Sequence, residues 1–228
     1  MLENLPPQQA SYHHGNVKEA LIDAAFKLIE SDQEGSLSLR RLSKEVGITP
    51  PAVYNHFADK QALMIVIKYR IYETFNSYFE ERISNFDNPE QTLKEMCFSY
   101  YHFPLDYPTP FRFLFASAIP MDWTTPGHVE VATHCIVKTR ATILGIYEKH
   151  KIPYDQQVVV DVTLLTWSQL HGIVTLRNSG MIQAAVDYQD WPRPCSLEEN
   201  SNVESLIEAH LQVIIGGIIN NVTKDGKH

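Results

Sequence analysis

Residues 47–57 read GITPPAVYNHF, and the fold turns on whether this stretch is loop or helix. Two prolines after a glycine look like a break, because proline lacks an N–H and its ring clashes inside a helix. Yet Val53 and Phe57 follow at the i, i+4 spacing of one helix face. Proline is tolerated in the first helical turn, where the N–H groups have no intrahelical partner. With Thr49 as N-cap, Pro50 falls at N1 and Pro51 at N2, and the threonine hydroxyl oxygen is free to accept from the Ala52 N–H. The stretch predicts a short helix with a rigid start.

Upstream, SLRRLSKEVG (38–47) gives a helix capped by Ser38 and stopped by Gly47. Further upstream, Val17, Leu21, Ala24, Ala25 and Leu28 recur at helical spacing, with Asn16 and Glu19 placed as N-cap and N3 and Gly35 as the stop. Downstream, Asp59 caps a long helix whose apolar stripe runs from Leu63 through Val66, Ile67, Ile71, Phe75, Tyr78 and Phe79 to Ile83. It ends near Asn85, and Asn88 and Pro89 open the next helix. Amphipathic segments follow near 89–105, 109–118, 128–150, 155–178 and 202–221, and no period-2 strand pattern of useful length appears. The run VVVDVTLL (158–165) continues into TWSQLHGIVTL at 3.6 periodicity, which favours helix over strand. Residues 179–200, with Pro192 and Pro194, read as a long connection. The expected fold class is all-α.

With 44% hydrophobic and 20% charged residues among 228, the composition is that of a soluble globular protein. A net charge of −8 argues against indiscriminate nucleic-acid binding, but the charge is uneven. Residues 36–70 carry six bases against two acids, +4, which leaves −12 on the rest. Cys97, Cys135 and Cys195 are odd in number and widely spaced, so they form neither a disulfide framework nor a metal knuckle. MLENLPPQQ lacks the basic and apolar regions of a signal peptide, and no apolar run approaches the ~18 residues of a membrane span. The expectation is a cytoplasmic protein without a membrane partner.

Two capped helices joined at Gly47-Ile48 make a helix-turn-helix, whose second helix enters the major groove. With Val53 and Phe57 turned inward, ~100° per residue puts Pro51 and Asn55 on the opposite face, flanked by Ala52 and Tyr54. Asn55 can pair bidentately with adenine, Ala52 can touch a thymine methyl, and Arg40 can reach guanine O6 and N7. Thr49, Tyr54 and Lys60 suit phosphate oxygens. The plainer alternatives are that Tyr54 only packs, Lys60 is only solvated, and His56 caps the carbonyls of the short helix. His13 and His14 sit in a polar arm, which is either a tail or a minor-groove contact. There is no HExxH, GxSxG or Gly-rich phosphate loop, and the histidine spacings match no metal pair on one helical turn. No catalytic residue, metal site or cofactor is expected.

LSLRRLSKEVGITPPAVYNHFADKQALM resembles the DNA-binding signature of the tetracycline-repressor (TetR) family: a turn glycine, a short helix ending Tyr-x-His-Phe, then a lysine and a leucine opening a long helix. Those positions are Gly47, Tyr54, His56, Phe57, Lys60 and Leu63, and YHHGNVKEALIDAAFKLIE is similar to the family's leading arm and first helix. The resemblance implies base or backbone contacts from Arg40, Thr49, Pro50, Pro51, Ala52, Tyr54, Asn55, His56 and Lys60. YYHFPLDYPTPFRFLFAS and WSQLHGIVTLRNSG resemble a subgroup with a Trp, His-Gly signature. Trp167 and His171 are i, i+4 neighbours, and Gly172 permits close approach of another helix. Tyr100, Tyr101, Phe115, Trp167 and His171 are the candidate ligand contacts, with plain core packing as the alternative for each.

The expected function is that of a ligand-responsive transcriptional regulator, a homodimeric repressor released from its double-stranded DNA operator by a small apolar effector. Residues 12–60 would bind DNA and residues 61–228 would hold the effector and dimerise through the segments near 155–178 and 202–221. The rival is an all-helical enzyme or small-molecule carrier without DNA binding.

Overall fold

The computed structural model describes residues 17–31, 37–84, 87–115 and 125–220, and contacts divide the chain between Lys68 and Tyr69 into two compact units. Among the described residues every regular element is a helix.

In the first unit, α1 (Val17–Glu30) packs on α2 (Leu39–Val46), and α2 packs on α3 (Pro50–Tyr54). Leu21, Ala25, Ile29, Leu42, Val53 and Phe57 are buried at 2% exposure or less, so the i, i+4 pattern does face a core. Fully burying one such aliphatic or aromatic side chain contributes roughly 1.5–3 kcal/mol. Ser38 caps α2 by accepting from the Arg41 N–H at 3.2 Å, and Gly47 ends it in the left-handed region at φ 74°. That φ is costly for any residue with a Cβ. The cap of α3 differs from expectation. Thr49 does precede Pro50, but its side chain accepts nothing, and the Ala52 N–H donates to the Thr49 backbone carbonyl at 3.0 Å instead. Two prolines already fix the entry φ values, so the turn forms without the hydroxyl. Asp59 behaves as predicted, its Oδ1 accepting from the Ala62 N–H at 2.8 Å. Asn16, Gly35 and the His13-His14 arm lie outside the described residues.

The long helix α4 (Lys60–Glu80) crosses the division, and Ile83 is buried just past its end. The second unit continues with α5 (Pro89–Asp106), α6 (Pro108–Phe115), α7 (Pro126–Lys149), α8 (Gln156–Ser179), α9 (Met181–Tyr188) and α10 (Asn200–Asn220). Helix α5 is central, packing against α6, α7, α8 and α10. Its face Leu93, Met96, Cys97, Tyr100 and Phe103 meets Phe75 and Phe79 of α4, with the Phe75 and Phe103 rings edge to face at 4.7 Å. Such pairs add about 0.5–1.5 kcal/mol beyond area burial.

Three further expectations change. Residues 179–200 are not a plain connection, because α9 and a 3₁₀ turn at Arg193–Cys195 form there. Gly180 at φ 67° ends α8 and starts α9 at once, which hid the second helix in the pattern. Gly172 meets no neighbour, since a Cβ there would find nothing within 4 Å. Helix α8 is long and apolar enough by length and composition to cross a membrane. Its Val159, Thr163, Thr166, Leu170 and Val174 are buried against the rest of the unit, while Leu164, Leu165 and Leu176 are exposed.

Candidate nucleic-acid interface and ligand cavity

In the first unit, α2, Gly47 and α3 set out one polar surface. Val53 and Phe57 anchor the inner side, so Arg40, Thr49, Pro50, Pro51, Asn55 and His56 are all exposed, with Tyr54 at 59% exposure and Ala52 half-buried. Lys60, also exposed, opens α4. Arg41 pairs with Glu45 at 3.7 Å, whereas Arg40 and Lys60 have no ion pair among the described residues. Their charges are presented to whatever approaches this face. The His56 side chain caps nothing among the described residues; only its backbone N–H donates, to the Val53 carbonyl at 2.9 Å. The two prolines remove N–H donors that a helix start offers to phosphate, so anchoring here depends on side chains.

The second unit holds a cavity of about 270 Å³ between α4, α5, α6, α7 and α8. Phe75, Phe79, Leu93, Ile136 and Leu170 supply much of its wall, and among the described residues no charged side chain lines it. The threonine hydroxyls on the wall are spent on their own helices: Thr133, Thr139 and Thr166 donate to the carbonyls of Val129, Cys135 and Val162. Burial pushes the thiols of Cys97 and Cys135 up to about 12, so both stay protonated, and the Cys135 thiol donates to Asn76 Oδ1 at 3.1 Å. The site is apolar and uncharged.

Of the predicted ligand contacts, Tyr100, Phe115 and Trp167 line this cavity. His171 stands behind the wall, its Nδ1 2.7 Å from the Tyr100 hydroxyl and its ring 4.6 Å from that of Phe115. Burial raises the Tyr100 phenol and lowers the His171 imidazole, which keeps both neutral. The Tyr100 hydroxyl and His171 Nδ1 share this hydrogen bond, and the tautomer of the imidazole decides which of the two donates. Tyr101 is not part of the wall. One step along α5 turns it away, and its hydroxyl donates to Asn200 Oδ1 at 2.8 Å beneath the Arg177 guanidinium. Sequence reasoning missed Tyr72, Met96, Cys97, Cys135 and Thr166 on the wall. Cys97 shares a helix face with Tyr100 and was open to discovery; Tyr72 lies off the apolar stripe of α4 and was not.

A helix-turn-helix unit followed by an all-helical unit with an apolar chamber is the organisation of a DNA-binding regulator. Residues 21–67 match the model of bacterial regulatory proteins of the tetR family, and residues 93–191 match that of the tetracyclin repressor-like C-terminal domain. The chain belongs to the TetR family of transcriptional regulators. An HTH-type transcriptional regulator of Haemophilus influenzae is 43% identical over 47 residues, 20% of this chain and 23% of that protein. Another from Staphylococcus aureus is 25% identical over 92 residues, 40% of this chain and 50% of that protein. The chain thus spans half or less of these relatives' lengths. A solved protein of Rhodococcus sp. RHA1 has a TM-score of 0.70 at 20% identity, covering 92% of this chain and 98% of that one. The TetR-Q116A protein of Acinetobacter baumannii in complex with minocycline has a TM-score of 0.54 at 19% identity, covering 88% and 94%. At these identities the likeness is one of fold.

Proposed function

We propose that this protein is a homodimeric cytoplasmic repressor that leaves its operator when a small, largely apolar molecule enters the cavity. The observation that carries the DNA-binding part is the outward set on α2 and α3, held by the buried Val53 and Phe57. Arg40, Ala52 and Asn55 read base edges, while Thr49, Pro50, Pro51, Tyr54, His56 and Lys60 set the register on the backbone. Residues 12–60 make these contacts and the remainder of the chain senses and dimerises. The uncharged chamber supports an apolar effector, and the minocycline complex of a fold neighbour supports a small-molecule role for this unit.

The dimer forms through α8 and α10. Leu164, Leu165 and Leu176 of α8 and Leu206 and Val213 of α10 are exposed by 41% to 70%, more apolar surface than a solitary helix pair leaves in water. Helix α4 links the two activities in sequence: it opens at Lys60 directly after the motif, and its Tyr72, Phe75 and Phe79 line the cavity. A ligand-driven shift of α4 respaces the two recognition helices of a dimer, which must match half-sites about 34 Å apart.

The test is footprinting of the purified protein on the promoter DNA of its own gene at two salt concentrations, with sedimentation at micromolar concentration. A protected palindrome, salt-sensitive affinity and a dimer are expected. A monomer that protects no sequence overturns the proposal.

A further inference from the structure

The inner chamber of about 270 Å³ is just smaller than the usual ~300–1,000 Å³ of a ligand site. A second, outer cleft of about 530 Å³ lies between α5 and α7, lined by Thr92, Ala141, Thr142, Gly145, Glu148 and Lys149 among others. One side chain, Met96, lines both. It is 3% exposed, and its sulfur accepts from the Thr142 hydroxyl at 3.6 Å on the outer side. The same two helices face both spaces: Leu93 and Thr139 turn to the chamber, Thr92 and Thr142 to the cleft. Methionine is unbranched and hops between rotamers more readily than a β-branched residue, so opening this partition would require a change of rotamer and no helix movement.

We propose that chamber and cleft are two halves of one elongated site, with Met96 as the gate between them and the residue that sets how long a ligand fits. This rests on the reading of the chamber as the effector site. The chemistry on the two sides defines the ligand class. The chamber offers no charge and takes an apolar chain or ring. The cleft offers Lys138 and Lys149 with Asp87 and Glu148. Both lysines already have carboxylates, Lys149 at 2.6 Å from Glu90 and Lys138 on Glu80. An anionic head would have to compete with these, so the favoured ligand is an uncharged amphipath whose polar end stays in the cleft.

The connection can be read without the natural ligand, because Cys97 lies on the chamber wall, buried, while Cys195 is exposed. Methylmercury chloride, small and neutral, would be reacted with the full-length protein and the labelling of Cys97 followed by peptide mass spectrometry against Cys195. Met96→Ala should speed Cys97 labelling about tenfold, and Ala141→Trp, at an exposed position on the cleft, should slow it about tenfold, if access follows this route. Unchanged labelling in Ala141→Trp overturns the proposal even if Met96→Ala is faster, since lost packing alone would loosen the chamber. A second arm uses stopped-flow binding of N-phenyl-1-naphthylamine. Ala141→Trp should slow association of the probe severalfold; an association rate equal to that of the parent overturns the gate. Failure of the parent protein to bind this probe counts against the effector reading, and the mercurial rates still decide the route.

Discussion

The recognition surface and the cavity are built by opposite means. The first is a set of side chains turned outward from a five-residue helix, positioned by local devices: Ser38, Gly47, two prolines and Asp59. The second is a space, bounded by residues that five helices bring together from Tyr72 to Leu170. A surface fixed locally fails when its anchor fails, whereas a cavity tolerates many changes and fails when its wall shifts. The two should therefore respond to mutation on different scales.

The largest difference is expected at Phe57, which is 2% exposed beneath α3. Phe57→Ala should cost about 3–5 kcal/mol through lost burial and a cavity. Thermal unfolding should show the first unit melting earlier, with operator binding lost and probe binding in the second unit retained. Equal loss of both would show that the two surfaces are not separately built.

Next come the outward residues themselves. Arg40→Ala and Asn55→Ala should each weaken specific operator binding by about 1–3 kcal/mol, while Lys60→Ala weakens binding to all sequences alike and lowers the salt slope by about one. Titrations at fixed salt on operator and scrambled DNA distinguish the two behaviours. Identical affinities for all three variants and the parent would remove the assignment of this face.

On the cavity side, Tyr100→Phe removes the hydroxyl that lies 2.7 Å from His171 Nδ1 and leaves a partly buried nitrogen without its partner. A loss of about 1–3 kcal/mol in stability follows from an unsatisfied buried group. In a Tyr100→Phe, His171→Phe double-mutant cycle the two effects should be clearly non-additive. Additive effects would mean that the pair is in contact but not coupled.

This contrast also explains what could be read from sequence. The helix-turn-helix was legible because each of its decisions is local: Gly47 needs a positive φ, proline fits only the first turn, and a period of 3.6 assigns Val53 and Phe57 inward. Periodicity likewise identified α5 and α8 as helices. It could not separate Tyr100 on the cavity wall from Tyr101 against Asn200, because both are large, aromatic and buried. Nor could it show that α8 stops at Gly180 and α9 begins there, since one residue serves as both ends. A void is a property of five helices at once, and no short window of sequence contains it.

A smaller effect is expected from pH. Burial lowers both His171 and His210 from the ordinary 6.5, and His210 Nε2 has no hydrogen-bond partner among the described residues. Above 6.5 both are neutral in the folded and unfolded chain, so their contribution to stability is complete. As pH falls through 6.5 the unfolded chain takes up protons that the folded one refuses, and stability declines until the folded groups also titrate. Tm measured from pH 7.5 to 5.5 should fall, and His210→Phe should flatten the slope. A slope unchanged by that substitution would assign the pH dependence to other groups.

The smallest effect is the most discriminating. Ser38 and Thr49 occupy the same formal position at the starts of α2 and α3, but only Ser38 caps with its side chain. Ser38→Ala should therefore cost about 1 kcal/mol of stability. Thr49→Ala removes no intramolecular hydrogen bond and should stay within about 0.5 kcal/mol, the range of an ordinary surface change. The exposed Thr49 hydroxyl is then free for phosphate, and a bound phosphate contact is worth roughly 0.5–1.5 kcal/mol as a hydrogen bond. If Thr49→Ala leaves Tm unchanged and weakens binding to operator and scrambled DNA equally, the hydroxyl belongs to the interface. If it lowers Tm as much as Ser38→Ala does, the side chain caps α3 in solution after all, and the recognition helix depends on its threonine more than on its prolines.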